Sequence, residues 1–260
     1  MARRARLDAE LVRRKLARSR EQAAALVAAG RVQVHGTVAR KVAAMIDPAD
    51  PVVVTGEDPG AEYVSRGGHK LAGALAAFGL PVNGRRCLDA GASTGGFTDV
   101  LLRRGAREVV AVDVGYGQLA WQLRTDPRVS VHDRTNVREL TPEQIGGPVE
   151  LTVADLSFIP LTLVLPALAA CTSEDLLPMV KPQFEVGRER VGAKGVVRDP
   201  QLRAEAIRTV ADRAYELGLG TRGMTRSPLP GPAGNVEFFL WLRRDAPPVD
   251  PAEIAKVVGP

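Results

Sequence analysis

The sequence predicts an α/β chain in which a doubly wound, Rossmann-like sheet is preceded by a small α+β module. Three observations carry this. From residue 66 onward, apolar runs of strand length alternate with stretches of helical period, the pattern of parallel strands joined by crossover helices. One strand-like run, "RCLDA", enters a loop of small residues, "GASTGG", and leaves it as the helical "FTDVLLRRG", which is how a nucleotide fold makes its first crossover. The opening of the chain differs in charge: residues 1–56 carry a net +6, and the remainder a net −1.

With 260 residues the chain is long enough for one large domain and one small one. In the first part, Leu7, Leu11, Val12 and Leu16 fall at helical spacing, and Ala17–Arg18 makes a turn. Ser19 is an N-cap for a second helix, with Glu21 in its first turn and Gly30 closing it. "RVQV", "HG" and "TVARKV" read as strand, tight turn and strand, and "VVV" at 52–54 as a last strand. The spacing places this module at 1–58, a linker punctuated by Pro and Gly at 59–65, the large domain at 66–245 and a tail at 246–260.

Within the large domain, "HKLAGALAAFGL" is expected to be a helix, "RCLDA" a strand, "GGFTDVLLRRG" a helix and "EVVAVDV" a strand. "QLAWQLR" follows as a helix, then "RVSVHD" and "LTVADL" as strands. The uncharged run from Leu156 to Ser173 supplies a helix, "DLLPMVK" a strand and "QLRAEAIRTVADRAYELG" a long amphipathic helix, with strands near "TRGMTRSPL" and "NVEFFLWLRR" to finish.

Several function classes are disfavoured. Cys87 and Cys171 make neither a disulfide framework nor a metal-ligand spacing, and Cys87 lies in an apolar strand, so a core role is expected and no metal. The start "MARRARLDAE" lacks the apolar segment of a secretion signal, and a cytoplasmic protein is expected. The uncharged run is near the lower limit for a membrane span, but Pro160 and Pro166 and the absence of flanking basic anchors favour a buried helix.

Concentrated positive charge on one small module is the electrostatic footprint of a nucleic-acid partner. Arg3, Arg4, Arg6, Arg14, Arg18 and Arg20 are the candidate phosphate contacts, because a guanidinium fork matches phosphate oxygens. The module has no aromatic residue on which unpaired bases would stack, so RNA backbone and shape are the expected target, not DNA. "RLDAELVRR", "SREQAAALVAAGRVQVHG" and the closing valines resemble the RNA-binding domain first seen in ribosomal protein S-four.

The glycine-rich loop narrows the ligand. A dinucleotide fingerprint needs Gly-x-Gly-x-x-Gly, and its second glycine admits the pyrophosphate. Here Gly91 is followed by Ser93 and then by Gly95 and Gly96, so that glycine is missing. Asp89 at the strand end is placed for a positive group such as an amino acid's ammonium. Asp113, ending the next strand, is placed to accept both ribose hydroxyls. An acid, a small-residue turn and a ribose-binding acid without provision for pyrophosphate point to S-adenosylmethionine. Phe97 after the turn completes the expected set, and Asn136 either edges the adenine pocket or makes a turn.

Four polar residues stand at strand ends or at the entry to the fold: Lys70, Asp155, Lys181 and Glu237. Carboxyl ends of strands face the ligand crevice in open α/β sheets. Glu237 sits between Val236 and Phe238, so its carboxylate needs a cationic partner. Lys181 is placed between the carboxylates of Asp155 and Glu237, with Lys70 as the nearby positive charge. Each residue alone has an ordinary structural reading: strand-end cap, solvated helix residue or buried ion pair.

Together the four resemble the Lys-Asp-Lys-Glu tetrad of FtsJ-type RNA ribose methyltransferases. "YVSRGGHKL", "DAGASTGGFTDVLL", "VADLSFI", "KPQFE", "KGVVRDP" and "GPAGNVEFF" resemble the TlyA family, historically named hemolysins, over residues 1 to about 243. That resemblance implies 2′-O-methylation of cytidines in ribosomal RNA, with S-adenosylmethionine as cofactor and the four residues as the catalytic set. The arginine-rich start resembles the longer subtype, which implies action on both ribosomal subunits. Tyr63 stands where the family often has tryptophan. A ribose hydroxyl is a poor acid, so a lysine acting as its base must be neutral, from a reference pKa of about 10.4. The segment "KPQFEVGRERVGAKGVVRDP" resembles a substrate lid, with a mobile surface loop as the alternative. The competing readings are a non-catalytic RNA-binding protein and a membrane-active hemolysin.

Overall fold

The structure is a computed structural model that describes residues 4–14, 16–17, 19–55, 63–192 and 195–259. The chain divides into two compact units, Met1–Ala61 and Glu62–Pro260. Much of the linker expected at 59–65 lies outside the described residues.

The first unit contains β1 (Ala5–Arg6), α1 (Leu7–Arg13), α2 (Arg20–Ala28), β2 (Val32–Val34), β3 (Thr37–Val38), β4 (Met45–Ile46) and β5 (Val52–Val54). Ser19 Oγ accepts from the Gln22 amide at 3.1 Å and starts α2 as its spacing requires. His35 and Gly36 both have positive φ, 51° and 75°, the mirror-image turn that matches strand twist in a two-residue hairpin. The second hairpin strand is shorter than the expected 37–42. The chain beyond it is taken by its own N-terminal segment: Leu7 and Asp8 donate to the Ala44 and Val42 carbonyls, and β1 pairs with β4. Leu7, Leu11, Leu26, Val27, Val32 and Ile46 close a small core.

The second unit runs α3 (Arg66–Phe78), β6 (Arg86–Ala90), α4 (Gly96–Arg103), β7 (Glu108–Val112), α5 (Trp121–Arg124), β8 (Val129–His132), β9 (Val149–Ala154), α6 (Leu161–Cys171), β10 (Thr172–Val180), α7 (Pro182–Glu185), α8 (Pro200–Glu216), β11 (Gly220–Arg226), β12 (Phe238–Arg243) and α9 (Pro251–Val258). Its seven strands are ordered β11-β12-β10-β9-β6-β7-β8. β10, β9, β6, β7 and β8 pair in parallel, and β12 is antiparallel to both β10 and β11. This is the doubly wound sheet the alternation of elements predicts. The chain moves outward from β6 to β8 and then returns to β9 on the other side, so the switch point lies between β6 and β9.

One face of the sheet buries Leu161, Leu165 and Leu168 of α6, Ile207 and Val210 of α8, and Ile254 of α9. The other buries Leu71 and Leu75 of α3, Val100 and Leu101 of α4, and Leu123 of α5. Gly96 is required where α4 meets α3: a Cβ there would collide with Ser65 Oγ and lie 2.9 Å from the Gly68 amide nitrogen. Cys87 and Cys171 are both buried, and burial pushes their thiols up to about 12 and about 11, which leaves them unreactive.

Two differences from the expected elements have clear causes. The uncharged run is not one helix: Pro160 caps an eleven-residue α6, and β10 begins at Thr172 directly after it. No helix among the described residues is long and apolar enough to cross a membrane. The expected tail at 246–260 contains α9, capped by Asp250 and fixed by burial of Ile254 and Val258. Burial of one such side chain contributes about 1.5–3 kcal/mol.

Candidate active site

The carboxyl ends of β6 and β9 open on a cavity of about 530 Å³, within the range of small-molecule sites. Gly91, Ser93, Asp113, Asn136 and Asp155 are on its wall. Gly91 has φ +87°, and a Cβ there would lie 2.6 Å from the Asp155 carbonyl oxygen, so only glycine lets the two strand ends come this close. The Asp113 carboxylate is braced by two amides: Oδ2 accepts from Ser93 at 2.8 Å and Oδ1 from Gly115 at 2.6 Å. Asn136 lines the cavity, and its Oδ1 accepts from the Arg138 amide to start a turn.

Four expected cofactor residues are not on the wall. Asp89 is completely buried, and its Oδ2 accepts from Thr98 Oγ1 at 2.7 Å. Its Oδ1 has no partner among the described residues, and burial pushes the carboxyl up to about 7. The expected ammonium contact is therefore not offered from the cavity surface. Gly95 packs against Leu119 and Leu123, Gly96 against α3, and Phe97 is a core residue whose ring lies 6.0 Å from that of Phe239. Their work is to hold the turn, not to line the cavity. The wall residues missed in the sequence are mainly Val114, Gln118, Thr135 and the stretch Leu156–Ile159. That last stretch reads as helix because it is uncharged, yet Phe158 adopts φ +66° and is 90% exposed.

The four strand-end polar residues meet in two ion pairs. Register places Val180 of β10 opposite Phe238 of β12, so Lys181 and Glu237 are the next residues on adjacent strands. Asp155 follows β9, its amide donating to the Ala90 carbonyl. Lys181 Nζ is 2.6 Å from Asp155 Oδ1 and donates to Ser157 Oγ at 2.9 Å. Glu237 is paired not with Lys181, as its position suggests, but with Lys70, Nζ to Oε2 at 2.5 Å. Both lysines and Glu237 are buried, whereas Asp155 is about a quarter exposed.

Two side chains missed in the sequence support this corner. Glu185 Oε1 accepts from the Leu161 amide at 2.9 Å, capping α6 where Pro160 has no side-chain acceptor. Burial pushes Glu185 up to about 7. Asn235, also buried, accepts from the Val197 amide at 2.9 Å and donates to the Gly195 carbonyl at 2.8 Å. The segment expected as a lid is thus tied down at 195–197 and forms α7 at its start.

In the first unit, Arg6 and Arg20 converge on the buried Asp8 at 3.0 and 2.8 Å and remain about half exposed. Arg14 is held by Glu10 and by the Asp50 and Pro48 carbonyls, contacts that engage three of its five N–H donors within the unit. Arg4 is exposed, and Arg3 and Arg18 lie outside the described residues.

The FtsJ-like methyltransferase family model matches residues 63–244, and the S4 domain model matches residues 5–52. A 16S/23S rRNA (cytidine-2′-O)-methyltransferase TlyA from Mycobacterium tuberculosis is 64% identical over 245 residues, 94% of this chain and 91% of that protein. The chain belongs to the TlyA family of FtsJ-like methyltransferases. A relative named Hemolysin A, from Brachyspira hyodysenteriae, is 36% identical over 85% of this chain and 92% of its own length. A solved structure of a hemolysin-named protein from Streptococcus thermophilus superposes with a TM-score of 0.78 at 40% identity, covering 99% of this chain and 95% of that one.

The methyl donor of this TlyA-family chain is S-adenosylmethionine, and the cavity fits it. The bare backbone at Gly91 leaves room beside Asp155 that a side chain would fill. Asp113 presents a carboxylate already oriented by two amides, with further lone pairs for hydroxyl donors.

Proposed function

We infer that the chain transfers the methyl group of S-adenosylmethionine to the 2′-oxygen of cytidines in ribosomal RNA, acting on both ribosomal subunits in the cytoplasm. The observation that carries this is the pair of lysine–carboxylate contacts on neighbouring strand ends, Lys181 with Asp155 and Lys70 with Glu237, of which Asp155 is on the cavity wall. A transfer to a weakly acidic hydroxyl needs a group that takes its proton.

When bound, S-adenosylmethionine supplies an activated methyl group on a sulfonium. Gly91, Ser93, Asp113 and Asn136 hold it, with Asp113 on the ribose. Lys181 receives the proton of the target hydroxyl, and Asp155 fixes the amine in direction. Lys70 and Glu237 form a buried pair beside Lys181 on the adjacent strand end, so neither is left as an unpaired buried ion. The first unit docks the RNA through exposed guanidinium groups, Arg6 and Arg20 foremost, with Arg4 beside them.

The test is methylation of unmodified subunits by Lys181→Ala and by wild type, scored on hydrolysed RNA. Wild type is expected to leave label in an alkali-stable dinucleotide, and Lys181→Ala to leave none while still binding RNA. Unimpaired labelling by the variant would remove Lys181 from the reaction. Label confined to mononucleotides would replace ribose by base as the target.

A further inference from the structure

The ammonium of Lys181 is buried, and the residue is not on the wall of the 530 Å³ cavity. Ser157 is on that wall and exposed, and its Oγ sits 2.9 Å from Lys181 Nζ. Asp155 also lines the cavity and touches Lys181, but a carboxylate has no proton to pass on, so the serine hydroxyl is the group on that wall able to give a proton to the lysine. We propose that Ser157 is a further catalytic residue, relaying the proton from the target hydroxyl to Lys181. This rests on the ribose-methylation reading given above.

When Lys181 is neutral, its lone pair is free to accept from Ser157 Oγ at 2.9 Å while an N–H of the amine is directed to Asp155 Oδ1 at 2.6 Å. The 2′ O–H bond breaks as Ser157 Oγ takes that hydrogen, and the Oγ–H bond breaks as Nζ takes the serine's own. The electron pair left on the 2′-oxygen forms the bond to the methyl carbon, and the carbon–sulfur pair returns to sulfur. Serine ends as it began, and Lys181 ends as an ammonium beside Asp155. A hydroxyl is suited to this because it has one hydrogen to give and two lone pairs to receive. Among the described residues there is no second route of this kind, since the other partner of Lys181 is the carboxylate of Asp155.

Ser157 is exposed, and among the described residues its side chain is bonded only to Lys181, so Ser157→Ala should fold normally, and the experiment is built on it. Single-turnover methyl transfer, S-adenosylmethionine affinity by calorimetry and RNA affinity are measured for wild type, Ser157→Ala and Ser157→Thr. Loss of a positioned proton-transfer group predicts a rate fall of about 100-fold or more for Ser157→Ala, with both affinities unchanged, and recovery of most of the rate in Ser157→Thr. In mixtures of light and heavy water, the wild-type rate should bow with deuterium content, because two protons move together. A Ser157→Ala rate equal to wild type would show that Lys181 meets the substrate directly and overturn the relay. So would a rate loss matched by an equal loss of either affinity, or a wild-type rate that is linear in or indifferent to deuterium. Failure of the underlying reading is told apart by wild type alone, which would then yield no alkali-stable dinucleotide.

Discussion

Gly91 and Asp155 show how a single missing side chain sets the site. Gly91→Ala introduces a Cβ at 2.6 Å from a carbonyl and keeps a φ of +87°, so the loop must shift. S-adenosylmethionine affinity is expected to fall at least tenfold by calorimetry, and unchanged affinity would mean that the loop does not hold the ligand. The two lysines should behave differently when removed. Lys70→Ala leaves the buried Glu237 carboxylate unpaired, so a stability loss of about 3–5 kcal/mol accompanies the loss of activity. Lys181→Ala leaves Asp155, which water already reaches, so activity is lost with little change in Tm. Denaturation curves of the two variants separate these outcomes. Asp89 gives a pH signature. Its folded-state carboxyl is raised to about 7, whereas an unfolded carboxyl sits at about 3.9. Folding thus favours its protonated form, and this contribution is full below about pH 4 and lost as pH rises to about 7. Asp89→Asn should flatten the decline of Tm across that interval, and an unchanged slope would show that Asp89 is not its source.

At the level of elements, the strands and long helices of the second unit were legible because their periods are unmixed: continuous apolar runs for buried parallel strands, and a one-sided stripe in α8. The acids, glycines and lysines at the carboxyl ends of strands were found for the same reason. What was not legible depends on contacts between distant segments. Glu237 pairs with Lys70, 167 residues away, and not with its cross-strand neighbour, and no local pattern encodes that choice. Asp89, Gly95 and Phe97 match the expected motif in type but face inward, because motif spacing does not say on which side of a turn a side chain falls. In α1, Asp8 and Glu10 were invisible as organisers because acids in a basic module read as surface. They are buried and held by Arg6, Arg20, Arg13 and Arg14, which keep the Asp8 carboxyl well below the usual carboxylate range and lower Glu10 to about 2. Asp8→Ala removes those contacts and the acceptor for the Ala9 amide, and is expected to destabilise the first unit by about 1–3 kcal/mol, read from its unfolding transition. Arg6→Gln and Arg20→Gln should each weaken RNA binding and reduce the salt slope by about 1. A slope unchanged in both would exclude those guanidinium groups as phosphate contacts.

For the molecule as a whole, charge and chemistry are divided between two units: most of the net positive charge is in the first, and the methyl-donor cavity and the two lysine–carboxylate pairs are in the second. Variants of the first unit should therefore change the RNA concentration needed for half-maximal rate, and variants of Lys181 or Asp155 the maximal rate itself. The most direct test of the central claim uses unmodified ribosomal subunits and radiolabelled S-adenosylmethionine, followed by alkaline hydrolysis of the product RNA. A methylated 2′-oxygen cannot attack the neighbouring phosphate, so the account predicts label in a hydrolysis-resistant dinucleotide with cytidine at its 5′ side. Label recovered only in mononucleotides, or absent from both subunits, would contradict it.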